Sequence, residues 1–131
     1  MNETLTILLI DDDEINNFYV EHVLQKNCNL GELHVALDGI EGLQKIQELH
    51  AQNKPIDIIL LDINMPMMNG FDFLNEYETL PASMQAKQLV SIIASGKDSP
   101  DFKKLKTSPC VNTIFEKPLT EEKLISITVK Q

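Results

Sequence analysis

Four aspartates and one lysine fall where a chain of this pattern would gather chemistry. Asp11, Asp12 and Asp13 follow the apolar run Leu5–Ile10, Asp62 follows a second run at 56–61, and Lys117, with Pro118 behind it, comes within two residues of a third at 111–115. Carboxylates brought together repel one another, so such a group binds a hard cation, takes up a proton, or is offset by a nearby base. Mg2+ (or Mn2+) suits the first option, because it takes one or two carboxylates, keeps several waters and is commonly shared with a phosphate. Lys117 suits the third: its ammonium can pair with a carboxylate at rest and with a phosphoryl oxygen later. A carboxylate beside such a cation can attack phosphorus and form an acyl phosphate, with metal and lysine offsetting charge on the transferring group. Spacing alone leaves this as one option among metal-site chemistries. Asp13 by itself reads as a helix cap.

These residues need elements that bring them to one edge. Five short apolar runs, LTILLI (5–10), ELHVAL (32–37), IDIILL (56–61), QLVSII (88–93) and VNTIF (111–115), alternate with longer stretches of helical character. Such alternation predicts an α/β chain. The first, third and fourth runs are nearly continuous in Ile, Leu and Val, as parallel strands covered on both faces require. The second and fifth are more mixed and suit the edges. Between the strands, Ile15, Phe18, Tyr19 and Val23, and then Ile40, Leu43, Ile46 and Leu49, recur at helical spacing and are expected to form core faces. Ser99–Pro100 and Thr120–Glu121–Glu122 read as helix starts. Five βα units with right-handed crossovers give an open, doubly wound parallel sheet with helices on both faces, whose ligand site lies at the carboxyl ends of the strands.

Composition narrows the partners. The 131 residues, 43% hydrophobic, suit one compact domain. A formal charge of −9, from 20 acids against 11 bases, disfavours nucleic acid, whose binding needs clustered Lys and Arg. The run at 5–10 is too short for a signal peptide or a membrane span, so a cytoplasmic location without membrane insertion is expected. Cys28 and Cys110 lie outside any CxxC pair and read as inert thiols. His22, His34 and His50 lack close ligand spacing and carry no chemistry.

ILLIDDD (7–13), DIILLDINMPMMNG (57–70) and FEKP (115–118) together resemble the receiver domain of two-component response regulators, of the single-domain chemotaxis type, from about Leu5 to the end. The resemblance implies one receiver domain over residues 1–131, with a flavodoxin-like sheet of strand order 2-1-3-4-5. It implies Asp62 as phosphoacceptor, Asp11 and Asp12 as an acidic metal pair, a metal contact from the Asn64 carbonyl, and Lys117 before a cis Pro118. Met65, Pro66 and Gly70 match the loop after the acceptor, where glycine permits a tight start to the third helix. A histidine kinase or phosphotransfer protein is the implied donor. The implied output is a protein effector, an onward relay or a homodimer.

Two positions depart from that family. It places Thr or Ser at the end of the fourth strand, and SIIASG (91–96) offers either Ala94 or Ser95 there; Ser95 is the nearest hydroxyl able to assist catalysis. Three residues before Lys117 the family commonly has Tyr or Phe, and this chain has Ile114. The leading expectation is a phosphoacceptor signalling domain that is not an enzyme beyond acting on its own phosphoryl group. Its rivals are a Mg2+-dependent phosphohydrolase with an Asp nucleophile, against which Asn64 stands where such enzymes place an acid, and a receiver-like module that binds a partner without phosphate.

Overall fold

The structure, a computed structural model, describes residues 4–65 and 68–129, so Pro66 of the expected loop lies outside the described residues. Along it run β1 (Leu5–Ile10), α1 (Glu14–Asn27), β2 (Leu30–Ala36), α2 (Gly39–Ala51), β3 (Ile58–Asp62), α3 (Gly70–Tyr77), a 3-10 turn at Ala82–Met84, β4 (Gln88–Ile93), α4 (Pro100–Lys106), β5 (Thr113–Glu116) and α5 (Glu121–Thr128). The strands form one parallel sheet in the order β2-β1-β3-β4-β5, with the mixed runs at the two edges as expected. No helix among the described residues is long and apolar enough to cross a membrane.

Alternation along the central strands separates two cores. Leu8, Ile10, Ile59 and Leu61 pack with Ile46, Leu49, Phe73 and Leu105 from α2, α3 and α4. Ile7, Leu9, Ile58 and Leu60 pack with Val20, Leu24, Leu124 and Ile127 from α1 and α5. Because β3 is buried on both faces, the residue at its end is held by the most enclosed part of the fold.

Each helix starts at a polar side chain that satisfies free N–H groups. Asp13 caps α1 by accepting from the Ile15 and Asn16 amides, Ser99 caps α4 with Pro100 in its first turn, and Thr120 caps α5, as the sequence suggested. Asp38 and Asn69 do the same for α2 and α3. Gly70 is required by close approach: a Cβ there would lie 2.6 Å from the Ile63 Cα and 3.2 Å from the Asp62 carbonyl oxygen.

The expected core stripe of α1 is corrected. Of its four residues only Val23 is buried; Ile15 is 84% exposed, Phe18 74% and Tyr19 38%. The inward face is Asn17, Val20, Val23 and Leu24. Asn17 turns inward because its Nδ2 donates to the Asp11 carbonyl at 2.9 Å, and that rotation sends Ile15 and Phe18 outward. In α2, Ile46 and Leu49 are buried and Leu43 packs against them, whereas Ile40, in the first turn, remains 44% exposed. Strand bounds also shift. β2 begins at Leu30, paired with Leu5. β5 begins at Thr113, because Asn112 exchanges its side-chain and backbone hydrogen bonds with Leu89 just before the strand.

Candidate functional site

The register Ile10↔Leu61 in the β1–β3 pair sets Asp11, just past β1, beside Asp62, the last residue of β3. Both are 1% exposed. Asp12 is exposed, yet one carboxylate oxygen from each of Asp11, Asp12 and Asp62 lies within 4.8 Å of the others; among the described residues this is the one such grouping of His, Cys, Asp or Glu. From the far side of β4, the Lys117 backbone N–H donates to the Ile93 carbonyl at 2.8 Å. Its Nζ reaches Asp62 Oδ1 at 3.2 Å. The Lys117–Pro118 peptide is cis, as the resemblance implied.

Hydrogen bonds fix the two buried carboxylates. Asp11 Oδ1 accepts from the Asp13 backbone N–H at 2.9 Å and Oδ2 from Asn16 Nδ2 at 2.8 Å. Burial, against those two bonds and with the charge of Asp62 adding to it, pushes the Asp11 carboxyl up to about 6. Asp62 Oδ1 also accepts from the Asn64 backbone N–H at 3.1 Å. The Asn64 side chain turns away, its Oδ1 accepting from the Ala94 N–H at 3.4 Å. On α5, Lys123 Nζ donates to the carbonyls of Glu116 at 2.9 Å and Pro118 at 3.4 Å, one on each side of Lys117.

Three carboxylates against one ammonium leave excess negative charge in a small space. Hard oxygen donors, one of them open to solvent, are what Mg2+ uses when it retains water and shares a phosphate, so the donor set fits that ion. An open depression of about 540 Å³, lined by Asp11, Asn16, Tyr19, Lys117 and Pro118, leads in from the α1 side.

At the end of β4 the order of residues is plain. Ile93 is the last strand residue, Ala94 follows it against Asn64, and Ser95 comes one residue further on, half-exposed, with no hydrogen bond from its hydroxyl among the described residues. Ile114 is half-buried in β5, opposite Ser91 and packed against the α2–α4 core.

Sequence reasoning missed Asn16, Asn17 and Lys123. The two asparagines carried a signal: adjacent Asn residues in the first turns of a helix are poor formers unless their amides bond nearby backbone or carboxylate groups. Lys123 carried none.

Residues 7–128 match the response regulator receiver domain family. A hybrid signal transduction histidine kinase of Dictyostelium discoideum is 30% identical over 117 residues, which is 89% of this chain and 3% of that protein. Among solved structures, a two-component response regulator from Cytophaga hutchinsonii has a TM-score of 0.85 at 29% identity, covering 98% of this chain and 97% of that one. A chemotaxis response regulator of Vibrio cholerae has a TM-score of 0.77 at 26% identity, covering 98% of each. The chain spans from 3% to 26% of the length of the first curated relatives it matches.

Proposed function

Because this chain belongs to the response regulator receiver domain family of two-component signalling, we propose that it accepts a phosphoryl group on Asp62 and thereby changes a contact with a partner protein. One observation carries the reading: the buried Asp62 carboxylate is held 3.2 Å from Lys117 Nζ inside a cluster with Asp11 and Asp12. Asp11, Asp12 and Asp62, with the Asn64 carbonyl that the family resemblance adds, would hold Mg2+ or Mn2+. When bound, the ion offsets negative charge on the phosphoryl oxygens.

The chain's own groups do the rest. A carboxylate oxygen of Asp62 attacks phosphorus, a P–O bond forms as the donor's P–N bond breaks, and the donor imidazole leaves with the electron pair and is reprotonated from water. Lys117 moves its ammonium from the carboxylate to a phosphoryl oxygen. The Asn64 and Ala94 N–H groups, which now spend their hydrogen bonds on Asp62 and on the Asn64 amide, are the nearest backbone donors for the remaining oxygens. The donor is a phosphohistidine of a kinase or phosphotransfer protein, the output is a protein contact and the setting is the cytoplasm. A turnover phosphohydrolase is disfavoured because Asn64 offers no acid and its side chain is engaged by Ala94.

The test is intact mass after incubation with Mg2+ and acetyl phosphate. One adduct, absent in EDTA and released by hydroxylamine, is expected. No adduct, or catalytic turnover of many phosphate esters, would overturn the proposal.

A further inference from the structure

Helix α1 has two flanks, and only one belongs to the acidic pocket. At about 100° per residue, Asn16 and Tyr19 share the side that lines the depression beside Lys117. Glu14, Asn17, Phe18 and Glu21 gather roughly 180° away. There, with Val35 and Leu37 at the end of β2 and Glu41 of α2, they enclose an open groove of about 450 Å³.

Apolar side chains stand in solvent in and beside this groove. Phe18 is 74% exposed, Val35 41% and Leu37 39%, and Ile15, one turn before Phe18, is 84% exposed. A clustered apolar surface rimmed by polar groups is a mark of an interaction site. Among the described residues three carboxylates line the groove, and neither lysine nor arginine does. Glu41 is held in place, its Oε1 accepting from the Leu37 N–H at 2.9 Å. Asn17, also in the lining, is 7% exposed and keeps an Oδ1 with no hydrogen-bond partner among the described residues.

Charge selects the occupant. A second copy would bring the same three carboxylates and the same −9 charge to the contact, and an anionic membrane would be repelled likewise. A helix with one apolar face flanked by lysine or arginine is complementary on both counts.

We propose that the groove between α1 and β2 docks a basic amphipathic helix of a partner protein. Its apolar anchors meet Phe18, Val35 and Leu37, and its cations meet Glu14, Glu21 and Glu41. The site lies outside the Asp62 pocket and is independent of phosphoryl uptake there.

The probes are three synthetic peptides of equal length: a Leu/Lys amphipathic helix, its Leu/Glu counterpart, and a scrambled Leu/Lys sequence without an apolar face. Each is titrated into the isotope-labelled full chain and followed by amide chemical shifts. The first peptide should move amides of residues 14–21 and 35–41, and bind about tenfold or more tighter than the other two. Phe18→Ser and Glu21→Lys, both at exposed positions, should each weaken it by about tenfold. Phe18→Ser should still take up phosphate from acetyl phosphate, and Asp62→Asn should still bind the peptide, so that failure here and failure of the phosphoacceptor reading are told apart. Equal binding of the scrambled or acidic peptide would overturn the proposal. So would shifts centred on the Lys117 depression, or a peptide-free dimer formed through the same amides.

Discussion

At the ends of β1 and β3 the two buried carboxylates are held in place: Asp11 by Asp13 and Asn16, Asp62 by Lys117 and Asn64. Just past β4 stands Ala94, which has no polar side chain, and within β5, opposite Ser91, stands Ile114, which has no phenol. The pocket therefore gathers the carboxylates and the ammonium on which the proposed phosphoryl uptake rests, while the outer edge offers no hydroxyl at Ala94 and no aromatic ring at Ile114. Under the proposed function, uptake and transmission are separable properties of one sheet. Here they draw on different residues, with the backbone N–H of Ala94 and the Asn64 side chain as the direct bridge between them.

The comparison breaks most completely at the nucleophile. Asp62→Asn nearly preserves volume and removes both the attacking oxygen and some carboxylate repulsion. Intact mass should show no adduct, and the melting temperature should hold or rise. Equal phosphorylation of this variant at another residue would contradict the assignment.

Lys117→Ala comes next. Loss of the ammonium beside Asp62 should slow adduct formation from acetyl phosphate on the order of a hundredfold, the usual effect of removing one donor from a developing negative charge. A rate within about twofold of the parent would show that Lys117 serves only the resting ion pair.

A smaller, graded effect follows from Asp11. Its carboxyl, raised from 3.8 to about 6, holds a proton more tightly in the folded chain than in the unfolded one. In metal-free protein its contribution to stability is therefore full below the unfolded value and is lost as pH rises through about 6. Metal binding runs the other way, because the proton must leave first: Mg2+ affinity by calorimetry should fall about tenfold per pH unit below that value and level off above it. An affinity flat down to the unfolded value would remove Asp11 from the ligand set.

The smallest effect sharpens the other half of the comparison. With Ala94 at the end of β4 and the Ser95 hydroxyl unbonded, Ser95→Ala should change amide exchange across residues 94–102 by less than about twofold on adding a phosphoryl mimic. Ala94→Thr should enlarge that response several-fold, since a hydroxyl there would bond the phosphoryl group in one state only. A large loss in Ser95→Ala would move the switch to Ser95.

Much of this is legible in the amino-acid sequence. Continuous Ile/Leu/Val runs fixed which strands are central, and acids after the first and third runs, with Lys117 after the fifth, marked the edge where they meet. The strand-end ambiguity at Ala94 and Ser95 could not be read, because it depends on which residue pairs last with β3 and β5. Nor could the rotation of α1. Apolar residues at 15, 18, 19 and 23 satisfy helical spacing, but spacing does not say which face turns inward, and Asn17 lies on the inward face with its side-chain amide donating a hydrogen bond to the Asp11 carbonyl.

Lys123 sits on α5, yet the two carbonyls it grips flank Lys117. Lys123 thus ties α5 through one side chain to the peptide units on either side of Lys117, whose ammonium reaches Asp62. Linkage makes this reciprocal. A protein that clasps α5 more tightly when Lys117 has turned to a phosphoryl oxygen must favour the turned state by the same factor as the turn tightens the clasp. On this account the resting position of the Lys117 ammonium belongs jointly to the pocket and to whatever holds the last helix.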